Sequence, residues 1–160
     1  MDIRAAKETD RSVVRTVTVL SVDPIANDTA ALTQIFSRSP WALSPNAKWT
    51  LASTDNTASA LTTLRAGQIS VLLCGCDHKP DTWKEMLEEL RQISQPPMLI
   101  VTSRTADERL WAEALNLGAY DVLATPYDQS EVTRVLSLAW LHWKERHDLP
   151  SRASVAGSVS

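Results

Sequence analysis

From Val17 onward the chain alternates short β-branched runs with longer runs in which apolar residues recur every three or four positions. VTVLSV (17–22) predicts a first strand. DPIANDTAALTQIFS (23–37) predicts a helix, with Ile25, Leu32, Ile35 and Phe36 available for one face. SRSPWALSPNAK is a turn-rich connection with two prolines, and its Trp41 reads as a plug over the core. WTLAS (49–53) predicts a second strand. Thr57 to Ala66 predicts a second helix, with Ala60, Leu61 and Leu64 inward and AGQ ending it.

ISVLLCG (69–75) is apolar with little alternation, which fits a central parallel strand covered on both faces. DTWKEMLEELRQIS (81–94) carries Trp83, Met86, Leu87 and Leu90 at helical spacing. PPMLIVTS brings a fourth strand. TADERLWAEALNLG brings a fourth helix, with Gly118 as its C-cap. AYDVLA is a short fifth strand. DQSE offers a capping-box pattern and opens a last helix from Gln129 to about His147, which Leu149-Pro150 stops. Five strands alternating with five helices predict a doubly wound parallel sheet, an α/β three-layer sandwich of flavodoxin-like order 2-1-3-4-5. Residues 1–14 read as a flexible lead-in, 15–147 as one domain, and 148–160 as a small, polar, disordered tail after which no output domain follows.

Composition narrows the function classes. The 160 residues suit one domain with a sizeable core. Apolar residues make up 44%, charged residues 22%, and the formal net charge is -3. With no basic run, a nucleic-acid surface is not expected. No apolar run approaches the roughly 18 residues of a membrane span, and MDIRAAKETDRS lacks a signal-peptide core. A cytoplasmic protein follows as the expectation, with Cys74 and Cys76 kept as thiols.

Candidate chemistry gathers where the third strand breaks into a loop, at VLLCGCDHKP (71–80). Cys74, Cys76 and His78 lack the four ligands of a structural zinc site, and His142 and His147 lie on a distant helix. Cys76 beside His78 and Lys79 has the neighbours of a reactive thiol, so a cysteine-based redox sensor is one reading. A G-x-S-x-G elbow, a G-x-G-x-x-G turn and a Walker loop are all missing, and only four glycines are present, so no enzyme is expected. DPIANDTA is a poor phosphate loop for a flavin, though a small-molecule-binding module on this fold is a further reading.

The run PPMLIVTSRTADERLWAEALNLGAYDVLATPYDQSEVTRVL resembles the second half of a CheY-like response-regulator receiver domain, and VLSVDP (19–24) stands where receivers have a strand ending in an acidic pair. The likeness covers about residues 16 to 145. It implies a part in two-component, phosphorelay signal transduction. It also implies a magnesium ion held by acids after strand 1 and by a phosphoacceptor aspartate after strand 3. Here Asp23 keeps one acid and Pro24 replaces the second. Counting forward from the strand puts the acceptor at Gly75; counting back from Pro80 puts it at Cys76. Asp77 falls one or two positions late, on what strand alternation makes the other face unless a bulge re-aims it. The phosphoryl-pairing lysine is Thr125, the switch aromatic is Val122, and Thr102 survives as the phosphoryl-binding hydroxyl. The resemblance also implies a cis Thr125-Pro126 bond.

Four degraded positions predict a pseudo-receiver that lacks aspartyl phosphorylation and acts through protein–protein interaction. Asp23, Thr102, Thr125 and Pro126 are then remnants of the pocket. No cofactor is expected; magnesium would need Asp23 and Asp77 together, as a working receiver using Asp77 requires. The resemblance places the partner surface on the fourth helix, fifth strand and fifth helix. Trp111, Val122, Tyr127, Trp140 and Trp143 lie there, facing a histidine kinase, an effector or a second copy of the chain.

Overall fold

The computed structural model describes residues 15–22, 26–38, 46–77 and 79–159. Five parallel strands form one sheet in the order β2-β1-β3-β4-β5. They are β1 (Arg15–Val22), β2 (Ala47–Thr54), β3 (Val71–Gly75), β4 (Met98–Ser103) and β5 (Asp121–Ala124). The helices between and after them are α1 (Ala26–Ser37), α2 (Thr57–Ala66), α3 (Thr82–Leu90), α4 (Glu108–Leu117) and α5 (Gln129–Val159). This is the flavodoxin-like sandwich that the alternation of periods predicts. The expected lead-in, together with Asp23, Pro24, Ile25, Trp41 and His78, lies outside the described residues.

Strand side chains alternate between the faces, so each central strand feeds two cores. On one face Val17, Val19, Val71, Leu73, Ile100 and Leu123 pack under Leu32 and Phe36 of α1 and Val132, Leu136 and Trp140 of α5. On the other, Leu20, Leu72, Cys74, Leu99 and Val101 pack under Ala60 and Leu64 of α2, Trp83, Met86 and Leu90 of α3, and Ala114 of α4. Of the residues read as inward, Leu32, Ile35 and Phe36 of α1, Ala60 and Leu64 of α2, and Trp83, Met86 and Leu90 of α3 are buried.

The ends follow local chemistry. Asn56 caps α2 by accepting the Ser59 N–H at 2.8 Å. Asp107 caps α4 through the Leu110 N–H at 2.9 Å, so that helix starts three residues later than expected. Asp128 accepts the Glu131 N–H at 3.0 Å, half of the expected capping box. Gly118 ends α4 at φ 112°, a conformation that any Cβ would strain. The end of α5 corrects the sequence reading. The helix runs past Pro150 to Val159 and takes in most of the segment expected to be a disordered tail. A proline inside a helix removes one hydrogen bond at a cost of about 3 kcal/mol, which kinks a helix without having to end it. Arg152, Ala153 and Ala156 beyond it are good helix formers.

Candidate functional site

The carboxyl ends of the strands in an open parallel sheet form its usual working edge. Here β3 ends at Gly75, paired with Thr102 of β4. The Cys76 N–H still donates to the Thr102 carbonyl at 3.1 Å, so the chain holds sheet geometry for one more residue. That geometry turns the Cys76 side chain into the α2–α4 core, where it is 9% exposed. The thiol whose neighbours suggested reactivity is therefore buried. Burial pushes the Cys76 pKa above the usual 9.0; a hydrogen bond with Ser103 opposes the rise and the Asp77 charge adds to it. The thiol is held protonated.

Asp77 has left the strand, so strict alternation no longer fixes where it points. Its Oδ1 accepts from the Ser103 hydroxyl at 2.7 Å and its Oδ2 from the Arg104 N–H at 2.8 Å. The Ser103 oxygen in turn accepts the Thr105 N–H at 3.0 Å. One carboxylate thus clasps the start of the β4–α4 loop with both oxygens. A charge-assisted bond of this kind is about twice as strong as a neutral one.

Ser103, rather than Thr102, is the hydroxyl that meets a carboxylate. Ile100 faces the α1–α5 core and Val101 the other, so Thr102 follows Ile100 and Ser103 follows Val101 onto the side where Cys76 lies. Thr102 is buried at 3% exposure. The legible signal was the pair of adjacent hydroxyls at the strand end; choosing between them needs the β3–β4 register. Thr125 is also buried, its N–H donating to the Ser103 carbonyl at 3.0 Å. Its hydroxyl has no hydrogen-bond partner among the described residues. The Thr125-Pro126 bond is cis.

No group of three or more His, Cys, Asp or Glu gathers around one point among the described residues. Both Asp77 oxygens are engaged by Ser103 and Arg104, and Asp23, the other acid that a magnesium ion would take, lies outside the described residues. A crevice of about 130 Å³ lies beside the site, lined by Val22, Asp55, Asn56, Gly75, Lys79 and Thr82 among others. It is smaller than the roughly 300 Å³ of the least roomy ligand pockets.

The five residues expected on the partner surface separate in space. Trp111 of α4 is half exposed, with its Nε1–H on the Asp121 carboxylate at 3.3 Å. Trp140 turns inward and meets Trp49 edge-to-face at 6.0 Å. Val122 is 7% exposed and sits in the other core. Trp143 is half-buried, its Nε1–H donating to the Pro96 carbonyl at 3.1 Å, and Tyr127 packs against the α1–α5 core. Trp140 and Val122 are thus corrected from surface to core: their rows face the sheet. Leu138 of α5, unremarked in the sequence, is an exposed large hydrophobe.

No protein-family model matches the sequence, and no curated protein matches it. Solved structures do. The signal receiver domain of an HD domain-containing protein from Pseudomonas fluorescens Pf-5 superposes with a TM-score of 0.70 at 22% identity, over 85% of this chain and 95% of that one. NtrX from Brucella abortus gives 0.72 at 15% identity, over 89% of this chain and 30% of that one. A response regulator from Thermotoga maritima gives 0.66 at 17%, over 78% and 98%. The chain has the fold of the response-regulator receiver domain.

Proposed function

We propose that this chain is a receiver-like signalling module of a two-component system that works by protein–protein contact and not by aspartyl phosphorylation. The observation that carries the reading is at the acceptor position. Of the two candidate positions, Gly75 carries no side chain and the Cys76 thiol is buried and held protonated, and Asp77, the carboxylate that follows, has both oxygens committed to Ser103 and Arg104. A phosphoryl transfer to Asp77 would have to break that clasp, with neutral Thr125 where receivers place a lysine. The raised Cys76 pKa also counts against a redox sensor, which needs a thiolate.

The mode of action is binding, by a signalling protein or a second copy, on the α4–β5–α5 face. Trp111, anchored to the β5 edge through Asp121, and Leu138 on α5 supply its apolar surface. Tryptophan is among the side chains that most often anchor the centre of a protein interface.

The test is intact mass after incubation with magnesium and acetyl phosphate, on the parent chain and on Asp77→Ala. No mass change in either is the expected result. A gain of one phosphoryl group that disappears in Asp77→Ala would overturn the reading and establish a working phosphoreceiver.

A further inference from the structure

A groove of about 420 Å³ opens at the amino-terminal edge of the sheet, opposite the edge that carries Cys76 and Asp77. Leu87 and Leu90 of α3, Met98 of β4 and Leu117 of α4 supply apolar wall, and Arg91 and Arg146 stand over it. Leu117 is 41% exposed, one of three large hydrophobes left open on the described surface. None of the lining residues is acidic. Two other cavities differ in this respect. The crevice beside Gly75 holds Asp55 with Lys79. The groove beside Trp143 holds Arg65 with Glu89, paired at 3.8 Å. In a chain of net charge -3, two cations over an apolar wall with no carboxylate in it reverse the general balance.

The bland role for these arginines is to complement helix carboxyl ends, since α3 and α4 both finish here. Two facts weigh against it. The terminal carbonyls of α4 already accept from the Gly118 and Ala119 N–H groups. Arg146 belongs to the middle of α5 and has no ion-pair partner among the described residues. Arg91 does pair with Glu88 at 3.1 Å, but both side chains are about two-thirds exposed, at 66% and 67%. Such a pair is weak, and a ligand carboxylate can replace Glu88.

We propose that this groove binds a small amphipathic carboxylate. Its apolar body lies on Leu87, Leu90, Met98 and Leu117, and its head sits between Arg91 and Arg146. The volume falls within the range of about 300–1,000 Å³ typical of small-ligand sites. Guanidinium groups suit a carboxylate because they offer paired N–H donors and are more weakly hydrated than ammonium. The site is remote from the Asp77 clasp and stands or falls independently of the phosphorylation reading.

The experiment is calorimetric titration of the full chain with decanoate, and with decanol as the same chain without the charge. Saturable binding with a Kd below about 100 µM is expected, with decanol about tenfold weaker or worse. Arg146→Ala and Arg91→Ala should each weaken decanoate by about tenfold. Leu117→Glu should abolish binding, and Arg65→Ala in the neighbouring groove should change nothing. The arginine variants keep the test sound should Leu117→Glu not fold. No saturation, equal binding of decanol, or an undiminished Arg146→Ala would overturn the proposal. So would arginine-dependent binding to phosphatidylglycerol vesicles without decanoate binding, which would make the face a membrane contact.

Discussion

The middle of the sheet and its carboxyl edge obey different rules. In the middle, Leu72, Leu73, Ile100 and Val101 need only be apolar, of the right size and on the right face. At the edge, identity decides: Asp77 meets Ser103 rather than its neighbour Thr102, and Thr125 presents a neutral hydroxyl where a lysine would present a charge. A sheet can thus keep its architecture while the chemistry at its end changes, because packing depends on pattern and a reactive centre depends on single atoms.

The sharpest test of that contrast is in the packed core. Trp83 is 1% exposed in the α2–α4 core. Trp83→Ala should lower stability by about 3–5 kcal/mol in urea unfolding. A loss near that of an edge substitution would erase the distinction. Next comes the clasp. Asp77 is exposed, so its two bonds to Ser103 and Arg104 are discounted for solvent, and Asp77→Ala should cost about 1–2 kcal/mol. Hydrogen exchange of the Arg104 amide should speed up selectively. Unchanged exchange there would mean that the carboxylate does not hold the loop.

A smaller effect follows from the Cys76 thiol, whose pKa in the folded chain is raised above 9.0. Below that value the thiol is protonated in both states and contributes no pH dependence. Above it, unfolded chains ionise first, so stability falls as pH rises past about 9. The urea midpoint should fall from pH 8 to pH 10 more in the parent than in Cys76→Ala; an identical fall in both would show that the thiol is not perturbed. The smallest effect on stability belongs to Trp111→Ala, within about 0.5 kcal/mol because the ring is half exposed. If Trp111 anchors a partner, this variant should lose binding measured by calorimetry while its urea midpoint stays put.

Much of the fold was legible because it depends on pattern. Thr57–Ala66 was readable as a helix to the residue, and Gly118 and Asp128 marked their helix ends. The site was legible only in part. That Gly75, Cys76 and Thr125 carry neither a carboxylate nor an ammonium group is written in the sequence. The meeting of Asp77 with Ser103 is not, since it depends on strand register and on where β3 releases the chain. Trp140 and Trp143, three apart, share a helix side in any reading. Only the position of Trp49 across the interface shows that Trp140 goes inward. Pro150 looked like a stop because propensity is local, whereas α5 continues for nine residues beyond it, 151–159.

The parallel sheet has one more consequence, in the order of assembly. β1 lies between β2 and β3, and Val19 pairs with Val71, so the centre of the sheet cannot close until more than 50 further residues are available. Until then β1 has only β2 to pair with, and its other hydrogen-bonding edge, with apolar side chains on both faces, stays open. Pairings this distant in sequence slow folding. During synthesis, that open edge can join a neighbouring chain instead of its own.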